Sequence, residues 1–184
     1  GTSESLGVSF MPEFLTEKNW AYDFKHCSQW ILGTDDDVTY TRVSYMFDLA
    51  YDNGRGAVIN KDVIRTTSSE AELVKYVKNC FLATKVSFFN EIYDLCDSLS
   101  LNFVTVRDLS CDDPRIGVSH AQVPGHDGRR GFGGTCFPKD MSALKHILSN
   151  SGMQSFIIKA ALLRNNQLDR PDKDWSSDKG RAVE

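Results

Sequence analysis

The chain lacks an apolar run near the roughly 18 residues that cross a bilayer, and its start has no charged, apolar and small-residue leader. A membrane span and a secretory leader are therefore not expected. Positive charge is also short: 21 Lys and Arg against 25 Asp and Glu leave a net charge of -4, with no basic stripe. That removes the electrostatic case for nucleic acid. The five cysteines, Cys27, Cys80, Cys96, Cys111 and Cys136, form no CxxC pair. Zinc ribbons and dithiol redox couples are excluded by that spacing, and reduced thiols point to a cytoplasmic address. His26 and His146 have no ligand spacing to other metal-binding side chains, so no metal is expected. Internal repeats and low-complexity segments are absent.

What remains is a 184-residue chain with 41% hydrophobic residues, enough to bury an ordinary core. Its first third alternates short apolar runs with helical patterns, as an α/β unit does. "SLGVSF" and "WILG" read as strands, "DDVTYTRVSYMFDLAYD" as a helix with an acidic first turn, and "GAVINKDVIRTT" as one or two strands. From residue 68 to 98 the period changes. Leu73, Val77, Cys80, Phe81, Thr84, Phe88, Ile92 and Leu95 recur at helical spacing, with Ser69 and Glu72 as a capping box. Apolar residues spread over more than one face of this helix, which suits a bundle centre or a homodimer interface. A shorter helix over "NFVTVRDLS" is followed by a glycine-rich loop from Asp112 to Gly134. Two further helices then follow Pro138, divided at Gly152. The charged end after Asp169 reads as a solvated tail in which Trp175 docks. The expected class is mixed α/β: a small α/β remnant over residues 1-67, a mainly helical domain over 68-170 built on one long helix, and a polar tail over 171-184.

Chemistry gathers at "GFGGTCFPKD", residues 131 to 140. Glycines allow positive φ and close approach, so Cys136 is presented where a ligand can reach it. Lys75 and Asn79 lie four apart on the long helix and are donors able to hold an oxyanion. Glu13 and Glu17 lie four apart in "MPEFLTEK", and Asp140 follows Cys136 by four. Nucleophile, donors and carboxylates are the set needed to form a covalent adduct and hydrolyse it. Glu13 and Glu17 are equally readable as carboxylates at a helix start, and Arg115 as a partner for Asp112 or Asp113 that ties down the loop.

"PEFLTE" (12-17), "ELVKYVKNCFLATKVSFFNEIYDLC" (72-96), "DPRIG" (113-117) and "GFGGTCFPKD" closely resemble the UDP-glucose 6-dehydrogenase and wider nucleotide-sugar dehydrogenase family. The resemblance runs from about Gly7 to about Leu168. It implies NAD-dependent oxidation of a UDP-sugar C6 hydroxyl to a carboxylate in two steps, UDP-glucose to UDP-glucuronate, through a thiohemiacetal and a thioester. By the same resemblance Cys136 is the nucleophile, Lys75 and Asn79 hold the oxyanion and water, and Asp140 orients or accepts a proton. Glu13 or Glu17 serves hydrolysis. Phe14 and Leu15 meet the nucleotide sugar through backbone groups, Arg115 reaches it across a dimer, and Phe132, Gly133 and Lys139 lie along it.

The chain departs from the family where the cofactor binds. No GxGxxG follows a strand, and "GFGGTC" sits between a loop and the cysteine motif rather than in a βαβ unit. The resemblance therefore implies a truncated form without the NAD-binding Rossmann half or the C-terminal nucleotide-binding domain, binding no NAD by itself. Lys18 replaces a glycine usual in the family, and a longer loop adds His120, His126, Arg129 and Arg130, cations suited to a diphosphate. An alternative from another class is an inactive dimeric module that binds a nucleotide sugar or serves only assembly.

Overall fold

The computed structural model describes residues 8-16, 19-52 and 57-176. It divides into two compact units whose boundary lies between Lys75 and Tyr76. Among the described residues no helix is long and apolar enough to cross a membrane.

In the first unit a short helix, α1 (Trp20–Lys25), precedes β1 (Trp30–Gly33), α2 (Asp37–Asp52) and β2 (Val63–Thr66). The two strands pair in parallel, Trp30 opposite Val63 and Gly33 opposite Thr66. All four residues of β1 are buried, which is why "WILG" is uninterrupted by polar residues. Of the strand expected at "SLGVSF", Phe10 forms a single antiparallel bridge to Gly33, and residues 5-7 lie outside the described residues. Trp30 stacks on Phe47 at 4.3 Å and, with Val58, forms this unit's core. Gly33 is needed because a Cβ there would lie 2.6 Å from Ser68 Cα and 2.9 Å from Ala71 Cβ. Strand end and following helix thus touch at backbone distance.

The long helix is α3 (Ser68–Ser98). Its capping box is Thr67–Glu70, not Ser69–Glu72. Thr67 Oγ1 accepts from the Glu70 N–H at 3.2 Å, and Glu70 Oε2 accepts from the Thr67 N–H at 3.0 Å. Both triplets fit the sequence pattern, and the earlier one forms because β2 runs straight into the helix.

The second unit contains α3 from Tyr76 onward, α4 (Phe103–Cys111), α5 (Cys136–Asn150) and α6 (Phe156–Arg164). Asn102 caps α4, accepting from the Thr105 N–H at 3.2 Å. One core cluster joins Phe89, Cys96, Phe103, Cys111, Ala121 and Val123; another joins Cys80, Ala83, Phe132, Met141 and Ala161. All five cysteines are free thiols. Past α6 the chain makes one π turn, Asn165–Asp169, closed by the Arg170 N–H on Asn165 O at 2.7 Å. Of the solvated end expected after Asp169, residues 177-184 lie outside the described residues, while Arg170 is 3% exposed, Arg129 pairs with Asp172 and Asp174, and Arg170 pairs with Asp127 and Asp174. Trp175 is half-buried in the short turn Asp174–Ser176.

Candidate functional site

The glycine turn and α5 present one thiol. Gly131 (φ +68°) and Gly134 (φ +67°) take left-handed conformations, and the chain enters α5 at Cys136. The Cys136 thiol is exposed, with Thr135 Oγ1 at 3.9 Å. At the next turn Asp140 is 1% exposed, yet its carboxylate is satisfied on both oxygens. Asn79 Nδ2 donates to Oδ2 at 2.6 Å, and Lys139 Nζ donates to Oδ1 at 2.5 Å. A buried carboxylate persists only when paired in this way.

Burial opposes charge on Lys139, but the hydrogen bond and charge of Asp140 outweigh it, with further contributions from Cys136 and Tyr76. Its ammonium is held above the ordinary lysine value. Lys139, expected along the substrate, is thus paired with Asp140. The adjoining Cys80 thiol is pushed up to about 12 by burial and then by the negative charge of Asp140. It stays neutral and serves as core.

Other expected residues are placed differently. Asn79 gives its amide to Asp140. Phe132 is 3% exposed, its ring in the core and its N–H and C=O bonded to Asn165 at 2.8 and 2.9 Å, so packing is what it supplies. Gly133 is half-buried against the Arg170 guanidinium. Arg115 grips Asp113 through Nε at 3.0 Å and Nη2 at 2.5 Å, the loop-tying alternative. In the first unit, Lys75 Nζ donates to Glu13 Oε1 at 3.3 Å, while Glu13 Oε2 accepts from the Leu15 N–H at 3.0 Å. That N–H, expected to face a sugar nucleotide, is thus engaged. Phe14 is half-buried, and Glu17 lies outside the described residues.

The loop cations are also spoken for. Arg130 binds Asp94 at 2.5 Å and Asp169 at 3.1 Å, and Arg129 binds Asp172 and Asp174 at 2.5 and 2.8 Å. Both arginines, expected to suit a diphosphate, are held in these ion pairs. Burial, followed by the charges of Lys85 and His126, lowers the His120 pKa. The residues that sequence reasoning missed are Asn90, Asn165, Asp169 and Arg170, which surround the glycine turn. Asn90 and Asn165 are fully buried amides, 1% and 0% exposed.

Dinucleotide pyrophosphates sit on helix N-termini that follow strands. Among the described residues both such positions carry the chain's own carboxylates: Asp36 accepts from Thr39 N–H at 2.8 Å and Asp37 opens α2, while Glu70 caps α3. Both termini are thus capped by the chain's own acids, whose charge disfavours a pyrophosphate there.

The Asn79–Asp140–Lys139 chain, centred on the buried Asp140, lies one helical turn beyond the exposed Cys136 in a mainly helical unit. The chain belongs to the UDP-glucose/GDP-mannose dehydrogenase family, whose central domain matches residues 69-167. It is 33% identical over 163 residues to a UDP-glucose 6-dehydrogenase of Rickettsia bellii, covering 89% of this chain and 35% of that protein. A UDP-glucose 6-dehydrogenase of Streptococcus pneumoniae is 39% identical over 142 residues, covering 75% and 34%. The solved UDP-glucose dehydrogenase of Pyrobaculum islandicum superposes with a TM-score of 0.71 at 32% identity, covering 88% of this chain and 34% of that one. The chain spans about a third of the length of the curated relatives it matches.

Proposed function

We propose that this chain supplies the cysteine-bearing part of a nucleotide-sugar 6-dehydrogenase site, acting on UDP-glucose in the conversion of its C6 hydroxyl to a carboxylate. The observation that carries the reading is Cys136: an exposed thiol at the first turn of α5, beside a lysine that a buried, doubly bonded aspartate holds charged. In the step assigned to these residues, the sulfur bonds to the C6 carbon of an aldehyde. The carbonyl π pair moves to oxygen, which takes up a proton, and the thiol proton leaves to solvent. Lys139 and the N-terminal peptide dipoles of α5 put positive charge where that oxygen becomes negative. Asp140 orients Lys139, and Asn79 orients Asp140.

Glu13 and Lys75, joined in the first unit, are assigned to the later hydrolysis together with Glu17. Arg115 is assigned to the substrate, exchanging Asp113 for a phosphate. Five unbridged thiols suit a cytoplasmic location. A homodimer through α3 goes with the reading. Phe81 and Phe88 on α3 are 66% and 57% exposed. Val77, Phe81, Leu144, Leu148, Phe156 and Ile157 line an open apolar groove of about 430 Å³. Burying such a face is strongly favourable.

The second reading, an inactive dimeric module, is favoured by the internal pairing of Arg115, Arg129 and Arg130. Mass spectrometry separates the two. With UDP-6-aldehydoglucose present, iodoacetamide labelling of Cys136 is expected to slow about tenfold or more, as at a saturated site, while UDP alone protects weakly. Labelling at an unchanged rate would exclude the aldehyde-trapping role.

A further inference from the structure

Among the described residues the Cys136 sulfur has one hydrogen-bond contact, Thr135 Oγ1 at 3.9 Å, so the backbone that delivers it matters for its place. That backbone is moulded onto the π turn after α6. Asn165 grips both peptide groups of Phe132: Oδ1 accepts from its N–H at 2.8 Å, and Nδ2 donates to its C=O at 2.9 Å. Asn165 is 0% exposed, and a Cβ at Gly131 would strike its Oδ1 and lie 2.9 Å from Asp169 Cβ. A Cβ at Gly133 would run into the Arg170 guanidinium, 2.6 Å from Cζ and 3.0 Å from Nε. From the opposite side, Asn90 Oδ1 accepts from the Gly131 N–H at 3.2 Å.

The π turn is what allows three side chains to reach one loop. In an α-helix, residues four apart share a face and the fifth is rotated away. Here the wider turn closes from residue 165 to 170, so Asn165, Asp169 and Arg170 all meet Gly131, Phe132 and Gly133. The turn is fixed in its own right. Asp169 is held by Arg164 at 3.0 Å and Arg130 at 3.1 Å, and Arg170 by Asp174 at 3.0 Å and by Asp127.

We propose that Asn165 and Arg170 are positioning residues for the thiol: the π turn clamps the Gly131–Gly134 turn, and that clamp sets where Cys136 stands against Lys139. The inference rests on reading Cys136 as the reactive group, and its test needs no sugar nucleotide, so loss of the substrate reading and loss of the clamp are separate results.

The test is the pH-rate profile of iodoacetamide labelling at Cys136, resolved from Cys27 by peptide mass spectrometry, in Gly133→Ala, Arg170→Lys and the double variant. Arg170→Lys keeps the charge for Asp127 and Asp174 but removes the flat guanidinium that lies against Gly133. Gly133→Ala alone is expected to change the Cys136 rate on the order of tenfold and to move its midpoint, and the double variant to return most of that change. Rates that simply combine in the double variant would overturn the clamp. So would thermal midpoints that couple while the Cys136 profile stays that of the parent, because the contact would then be structural only. If Gly133→Ala does not fold, Arg170→Lys and Asn165→Asp are read alone: a moved Cys136 profile with an unmoved Cys27 profile supports the clamp, and two unmoved profiles refute it.

Discussion

At the scale of single residues, the site turns on Asp140. Removing its carboxylate in Asp140→Ala leaves the half-buried Asn79 amide without this charged acceptor, which should cost about 1–3 kcal/mol, measured by urea unfolding. A change below about 0.5 kcal/mol would mean that this partly buried bond at 2.6 Å contributes little. Cys80 gives a pH signature. Its folded-state value lies above the ordinary 9.0, so its contribution is complete below that pH and is lost as pH rises toward about 12. The stability difference between parent and Cys80→Ala should therefore shrink above pH 9.0; a difference constant to high pH would contradict the buried neutral thiol. Cys136 was legible in the sequence because glycine before a cysteine has a local meaning. Lys139 and Asp140 stand out beside it in the same motif, but the pairing of Asp140 with Asn79, 61 residues away, has no local trace. Asn165 was not, since nothing local in "LLRNNQLD" says which amide turns inward.

Among the elements, helices and strands with a clear period were readable: "WILG", the helix after it, and the long helix from 68 to 98 all formed where expected. The π turn was not, because a five-residue closure leaves no periodic trace over one turn. The cap of α3 shifted by two residues because two S/T-x-x-E triplets overlap, and tertiary contact with Gly33 chose between them. Glu70 makes that cap testable. Held near 2 instead of its ordinary 4.5 by Thr66 and Thr67, it stabilises the fold above pH 4.5 and loses that contribution as pH falls toward 2. Glu70→Gln should flatten the acid limb of the unfolding curve; an unchanged limb would place the acid sensitivity elsewhere. Packing of α5 on α3 rests on Met141, 0% exposed, and Met141→Ala should cost about 2–5 kcal/mol by calorimetric or urea unfolding.

For the whole molecule, the chain comprises a small α/β unit and a helical unit, the latter with an open apolar groove and an accessible thiol. Composition had made nucleic acid and membrane unattractive partners, and the apolar spread on the long helix had pointed to self-association. What the sequence could not reveal was that its loop arginines are consumed by Asp94, Asp169, Asp172 and Asp174, because ion pairing depends on which distant carboxylates the fold brings near. Light scattering should give a dimer for the parent chain and a monomer for Phe81→Asp, since a charge on that face opposes its burial; a parent monomer would remove the interface. The central claim is a sugar-nucleotide site built around Cys136, and calorimetric titration of the chain with UDP-glucose tests it most directly. Saturable binding of about one UDP-glucose per chain is the predicted result. A titration with no binding heat at any temperature, while the protein remains folded, would contradict it.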